Sequence, residues 1–148
     1  MIDSDEHDES GHITEDLDVR DRMVQKRLHR HADVLRDVDE PLVMGRGNVL
    51  LIGWGSSFGA LEELVERYPS DLRLIHYSEV WPLRTERLLT ELEHAGTSVA
   101  VEGNATGQFA RLIAQETGKQ VAHRVARYDG RPLTFAYIEA RLRELEVL

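Results

Sequence analysis

Two glycine-bearing segments have the residue types and spacing to handle an anion. The first is Gly53-Trp54-Gly55-Ser56-Ser57-Phe58-Gly59, at the end of the apolar run Asn48–Gly53. A glycine loop between a strand and a helix can turn backbone amides toward a phosphate or carboxylate at the helix N-terminus. The spacing is GxGxxxG, one residue longer than the dinucleotide fingerprint. Glu79 is the one candidate for the acid that would hold a ribose hydroxyl. A tight turn, with glycine where a side chain would clash, accounts for this pattern better than a nucleotide site. The second segment is Glu102-Gly103-Asn104-Ala105-Thr106-Gly107-Gln108. Asn104 is a good helix N-cap, and Thr106 and Gln108 offer side-chain hydrogen bonds beside it. It reads equally as a helix cap and as a contact surface for another domain or a ligand.

Other candidates are plainer. In Tyr128-Asp129-Gly130-Arg131-Pro132, Asp-Gly followed by Pro is a turn signal, and Arg131 could pair with a carboxylate across an interface. A surface turn that ends a strand is the simpler reading. His7 and His12 stand among Asp3, Asp5, Glu6, Asp8 and Glu9, a donor set for a divalent metal. A solvated acidic segment is the default there, and no metal site is assigned. His29 and His31 lie in a basic stretch and read as helix surface, and His76, near a strand end, as a hydrogen-bonded rim residue. Trp54 and Trp81, also at strand ends, could anchor an interface or pack on the chain's own loops. No Ser–His–Asp or Cys–His arrangement has a recognisable context, so no catalytic residue is assigned.

These loops need elements to hold them. The spacing of Val24, Leu28, His31 and Leu35 predicts a helix over 16–36. Alternation follows: a short edge strand Leu42–Gly45, a buried strand Asn48–Gly53, a helix Ser57–Tyr68 and a strand Leu72–Tyr77. Then come a helix from Pro82 to about Ala95, a strand Thr97–Glu102, a helix Ala105–Thr117, a strand Gln120–Arg127 and a helix Phe135–Glu146. The pattern predicts an α/β fold: a three-layer α/β/α sandwich around a mostly parallel sheet of four to five strands, with an N-terminal helix. Ligands and partners of such sheets meet the loops at the carboxyl ends of the strands, where strand order reverses. If it reverses between the first and third parallel strands, Gly53–Ser57 and Gly103–Gly107 face one crevice. We divide the chain into an acidic linker (1–15), a connecting helix (16–40) and an α/β domain (41–148).

Composition narrows the classes. The chain has 148 residues, a formal net charge of −9 and no cysteine. Thiolate zinc sites, disulfides and cysteine-ligated iron–sulfur clusters are therefore impossible within it. The negative charge, densest between Asp3 and Asp18, argues against nucleic acid and anionic lipid as partners. The start Met1-Ile2-Asp3-Ser4-Asp5-Glu6 lacks the pattern of a signal peptide, and no apolar run is long enough for a membrane helix. Cytoplasmic residence is the expectation.

Ile52–Ala60 (IGWGSSFGA), Glu102–Phe109 (EGNATGQF) and Tyr128–Pro132 (YDGRP), with Asp5–Glu9, Gly11–Glu15, Met23–Leu28 and Val80-Trp81-Pro82-Leu83, occur in one order along almost the whole chain. In order and spacing they resemble the C-terminal, transketolase-C-terminal-like part of the α subunit of a 2-oxoacid:ferredoxin oxidoreductase of the 2-oxoglutarate type. Gly103 stands where glutamine is usual, so no side-chain role at that position carries over, and Phe58 stands where tyrosine is common. The resemblance implies a holoenzyme that uses thiamine diphosphate and Mg2+ to decarboxylate a 2-oxoacid. Electrons pass through a [4Fe–4S] cluster to ferredoxin and the acyl group to coenzyme A. It implies partners in a β subunit and the rest of the α subunit. No thiamine, magnesium or cluster ligand transfers to this chain, which would begin where the pyrimidine-binding domain ends and serve as a non-catalytic assembly domain. The interface or ligand-loop candidates are Gly53, Trp54, Gly55, Ser56, Ser57, Gly103, Asn104, Thr106, Gly107, Gln108, Asp129 and Arg131. The alternative is a free-standing nucleotide- or coenzyme A-binding α/β module.

Overall fold

The computed structural model of the chain describes residues 5–148; Met1, Ile2, Asp3 and Ser4, and what the sequence reading drew from them, lie outside the described residues. The chain divides into two compact units, the first ending at Val38 and the second spanning Asp39–Leu148.

In the first unit, strands β1 (Glu6–His7) and β2 (Ile13–Thr14) pair antiparallel and precede helix α1 (Leu17–Asp37). This hairpin lies within the segment 1–15 that the sequence reading divides off as an acidic linker, and no apolar period announced it. Its cause is short-range. Asp8 Oδ1 accepts from the Ser10 and His12 amides, both at 2.9 Å, and Gly11 takes the positive φ of 80° that closes the turn. Glu6 then bridges to Arg27 of α1 at 2.5 Å. Asp16 caps α1 by accepting from the amides of Asp18 and Val19. No residue of α1 is buried.

The second unit has a five-stranded sheet in the order β3 (Leu42–Gly45), β5 (Leu72–Tyr77), β4 (Val49–Trp54), β6 (Thr97–Glu102), β7 (His123–Ala126). Only β3 runs antiparallel, as an edge strand on β5. Alternate residues of β4 serve opposite faces, as the period of a strand requires. Val49 and Leu51 pack with Leu61, Leu64 and Val65 of α2 (Phe58–Arg67) and Ile138 and Leu142 of α5 (Phe135–Glu144). Leu50 and Ile52 pack with Leu88 of α3 (Glu86–His94) and Phe109 and Ile113 of α4 (Gln108–Thr117). Helices thus cover both faces, and the expected three-layer architecture is the one found.

Three expected boundaries are corrected. The helix predicted from Pro82 starts at Glu86, because residues 78–85 fold back against the sheet. Leu83 is buried there and the Tyr77 hydroxyl donates to the Arg84 carbonyl at 2.8 Å. The Trp81–Pro82 peptide is cis. The last strand is four residues, His123–Ala126, not Gln120–Arg127: it pairs with Val99–Glu102 of β6, and the Ala122 amide just before it donates to the Ser98 side chain at 3.1 Å instead of to the ladder. The helix predicted from Ala105 starts at Gln108, for a reason that belongs to the site.

Candidate functional site

The reversal of strand order falls at β4, which has β5 on one side and β6 on the other. The loops that leave β4 and β6 therefore lie side by side, and the turn after β7 completes a cleft of about 820 Å3. Its lining includes Trp54, Ser56 and Ser57 from the first loop and Gly103, Asn104 and Gln108 from the second. Arg127, Tyr128 and Arg131 come from the third. Gly53, Gly55, Thr106, Gly107 and Asp129 belong to the same loops but do not line the cleft.

The first loop is a tight turn. A Cβ on Gly53 would lie 2.2 Å from Leu61 Cδ1 and 2.9 Å from Ser57 Oγ, so only glycine lets α2 approach the strand end. Gly55 has a φ of 56°, the left-handed region. Ser57 is buried, and its Oγ accepts from the Trp54 amide at 3.1 Å while donating to the Trp54 carbonyl at 2.8 Å. His76 Nε2–H donates to the Gly55 carbonyl at 3.1 Å, which fixes that tautomer, and the ring meets Phe58 edge-on at 5.0 Å. Burial pushes the His76 pKa down, against the pull of the ring's hydrogen bonding to the Gly55 and Trp54 backbone.

In the second loop Asn104 caps a turn and not the helix itself. Its Oδ1 accepts from the amides of Thr106, Gly107 and Gln108 at 3.2, 2.7 and 3.2 Å. Gly107, at φ 67°, holds the N-cap position of α4. The next amides, Phe109 and Ala110, donate to the Glu102 carboxylate at 2.8 and 3.1 Å, and Asn104 Nδ2 donates to it at 2.7 Å. Sequence reasoning did not single out Glu102 as functional. It is 1% exposed and stands where a bound anion would sit. A carboxylate is the natural occupant of a helix N-terminus, whose amides carry partial positive charge. The amides that a phosphate would use at α4 are therefore already engaged. Glu79, the ribose-binding candidate, accepts the Asp39 amide at 2.9 Å and lies outside the cleft lining.

The third loop is internally paired. Arg131 gives Nε to Asp129 Oδ2 at 2.9 Å, and its Nη2 bonds the same oxygen. These guanidinium contacts hold the Asp129 carboxyl well below the usual carboxylate range. Within the chain, Arg131 meets the carboxylate of its own neighbour Asp129, in a surface turn that follows the last strand. Arg127 braces the turn from inside, donating to the Pro132 carbonyl at 2.7 Å and lying over the Tyr137 ring at 4.5 Å. Trp54 is 37% exposed, with its ring 6.3 Å from Phe109.

Elsewhere, His29 and His31 are exposed on α1, and Trp81, also exposed, is not part of the cleft lining. Among the described residues no group of three or more His, Cys, Asp or Glu side chains could hold a metal. No helix among them is long and apolar enough to cross a membrane.

No protein-family model matches the sequence. The α subunit of 2-oxoacid:ferredoxin oxidoreductase 1 of Sulfurisphaera tokodaii is 30% identical over 143 residues, which is 93% of this chain and 23% of that protein. Its counterpart from Aeropyrum pernix is 32% identical over 139 residues, 87% of this chain and 22% of that protein. The chain is homologous to part of a 2-oxoacid:ferredoxin oxidoreductase α subunit. It spans under a quarter of the length of those α subunits. The fold agrees. A 2-oxoglutarate:ferredoxin oxidoreductase from Magnetococcus marinus, solved with 2-oxoglutarate, coenzyme A and succinyl-CoA bound, superposes with a TM-score of 0.82 at 23% identity. That likeness covers 97% of this chain and 26% of the other. A split-gene transketolase gives a TM-score of 0.57 at 17% identity, over 71% of this chain and 40% of the other. The α/β unit thus has the transketolase-like architecture seen in an oxidoreductase of this class.

Proposed function

We propose that the chain is the C-terminal assembly domain of a 2-oxoacid:ferredoxin oxidoreductase α subunit and has no catalytic activity alone. The observation that carries this is the match to such α subunits along 93% of the chain. The strand-end cleft supplies a face for neighbouring domains, in the position where sheets of this class meet partners. In this reading the domain boundaries are a linker at 1–15, a connecting helix at 16–40 and the α/β domain at 41–148. The partners are the β subunit and the rest of the α subunit. The holoenzyme, in the cytoplasm, oxidatively decarboxylates a 2-oxoacid, 2-oxoglutarate being the one we favour, to an acyl-CoA and reduces ferredoxin. Thiamine diphosphate, Mg2+ and a [4Fe–4S] cluster are held by other parts of that assembly. The absence of cysteine from this chain accords with a cluster held elsewhere.

Reconstitution tests this reading. The chain is mixed with a matching β subunit and the remaining α region, and coenzyme A-dependent reduction of a viologen dye by 2-oxoglutarate is followed. Activity that rises with added chain to a stoichiometric plateau is expected. Equal activity without the chain sinks the assembly role.

A further inference from the structure

We propose that the cleft between Trp54 and Tyr128 is a docking slot for a carboxylate-bearing loop of a neighbouring protein domain. This rests on the assembly reading and adds which surface docks and what chemistry it takes. The first observation is charge. The chain carries a formal −9, yet the charged residues lining the cleft are Arg127 and Arg131, with no carboxylate among them. Arg127 is committed to the Pro132 carbonyl, the Asp129 carboxylate at 3.3 Å and the Tyr137 ring. Arg131 is 71% exposed, and its Nη1 has no hydrogen-bond partner among the described residues. The second observation is a pair of open polar side chains, each able to donate. Ser56 and Gln108 line the cleft, and neither side chain makes a hydrogen bond within the described residues. A guanidinium edge, an amide and a hydroxyl face one space, which suits a partner rich in acceptors. The third is the rim. Trp54 is 37% and Tyr128 70% exposed, and aromatic residues beside an arginine are the side chains that carry interface energy.

A free phosphate or nucleotide fits less well. It would need the α4 amides, and Glu102 and Asn104 hold those. A carboxylate on a protein loop needs one arginine edge and an apolar seat beside it, which Pro132 and Leu133 provide.

The test uses the full chain assembled with the matching β subunit and the remaining α region. Arg131→Glu is compared with Lys119→Glu, a control on the loop between α4 and β7 that is not part of the cleft lining. Arg131→Glu is expected to weaken assembly roughly tenfold at low salt, and Lys119→Glu less than about twofold. A benzophenone amino acid at Ser56 is expected to crosslink to a partner peptide that contains Asp or Glu, and one placed at Lys119 as a control is not. Melting by circular dichroism checks that each variant is folded. An assembly that forms equally well with both charge variants, or crosslinks from position 119 and none from 56, overturns the docking slot and leaves the assembly reading standing. A wild-type chain that does not assemble at all overturns both.

Discussion

Glu102 shows what one buried acid does at this site. Its carboxylate has lost its hydration but receives three donors and the field of a helix N-terminus. Glu102→Gln keeps one acceptor oxygen and sets an NH2 group against an amide N–H. We expect a loss of ~2 kcal/mol in urea unfolding at neutral pH; a change under about 0.5 kcal/mol would mean the amides are satisfied by water instead. His76 sets a pH dependence. Burial lowers its pKa below the ordinary 6.5, so the unfolded chain takes up this proton more readily than the folded one. Its contribution is fully present above the unfolded pKa and fades as pH falls below 6.5 toward the lower folded value. Thermal melts at about pH 7.5 and about pH 5.5 should show a larger drop for the wild-type chain than for His76→Gln. Equal drops would assign the acid sensitivity to other groups.

At the scale of elements, α3 departs from a simple apolar stripe. Leu88, Leu92 and Ala95 form the face its sequence suggests, but Glu91 is buried with Leu88 while Leu92 is only half-buried. The reason is an ion pair. Glu91 Oε2 lies 2.9 Å from Arg73 Nη1 of β5, and Arg87 adds a second contact at 2.9 Å. Removing one member strands the other, and Arg73 is only 16% exposed. Glu91→Ala is therefore expected to destabilise by ~3 kcal/mol, while Arg73→Met with Glu91→Leu recovers most of that loss. The measurement is chemical denaturation of the three proteins. A double variant as unstable as the single one would show that packing, not the stranded charge, is at stake.

For the whole molecule, both hydrophobic clusters that sandwich the sheet are built from residues 43–148. The unit Asp39–Leu148 thus has a complete core of its own, and α1 buries no residue. A 39–148 fragment is expected to fold cooperatively and to melt within about 5 °C of the full chain. Broad, non-cooperative melting of that fragment would show that the first unit is required for the core.

The alternation of apolar runs and amphipathic stretches determined the sandwich, because each short apolar run must be covered on two faces and each helix must bury one stripe. The glycine turn was legible for the same kind of reason: Gly53 and Gly55 are local requirements of backbone and close approach. What joined the loops into one cleft was strand order, β5 to one side of β4 and β6 to the other, which no local pattern encodes. The hairpin at Asp8 was hidden because a side-chain-capped turn leaves no hydrophobic period. Glu91 was hidden because its partner lies 18 residues away, and the late start of α4 because Glu102 reaches the helix amides from the preceding strand. Spacing along the chain fixes which elements form. Pairings between residues far apart in sequence decide which polar groups can be buried, and those exist only once the sheet has assembled.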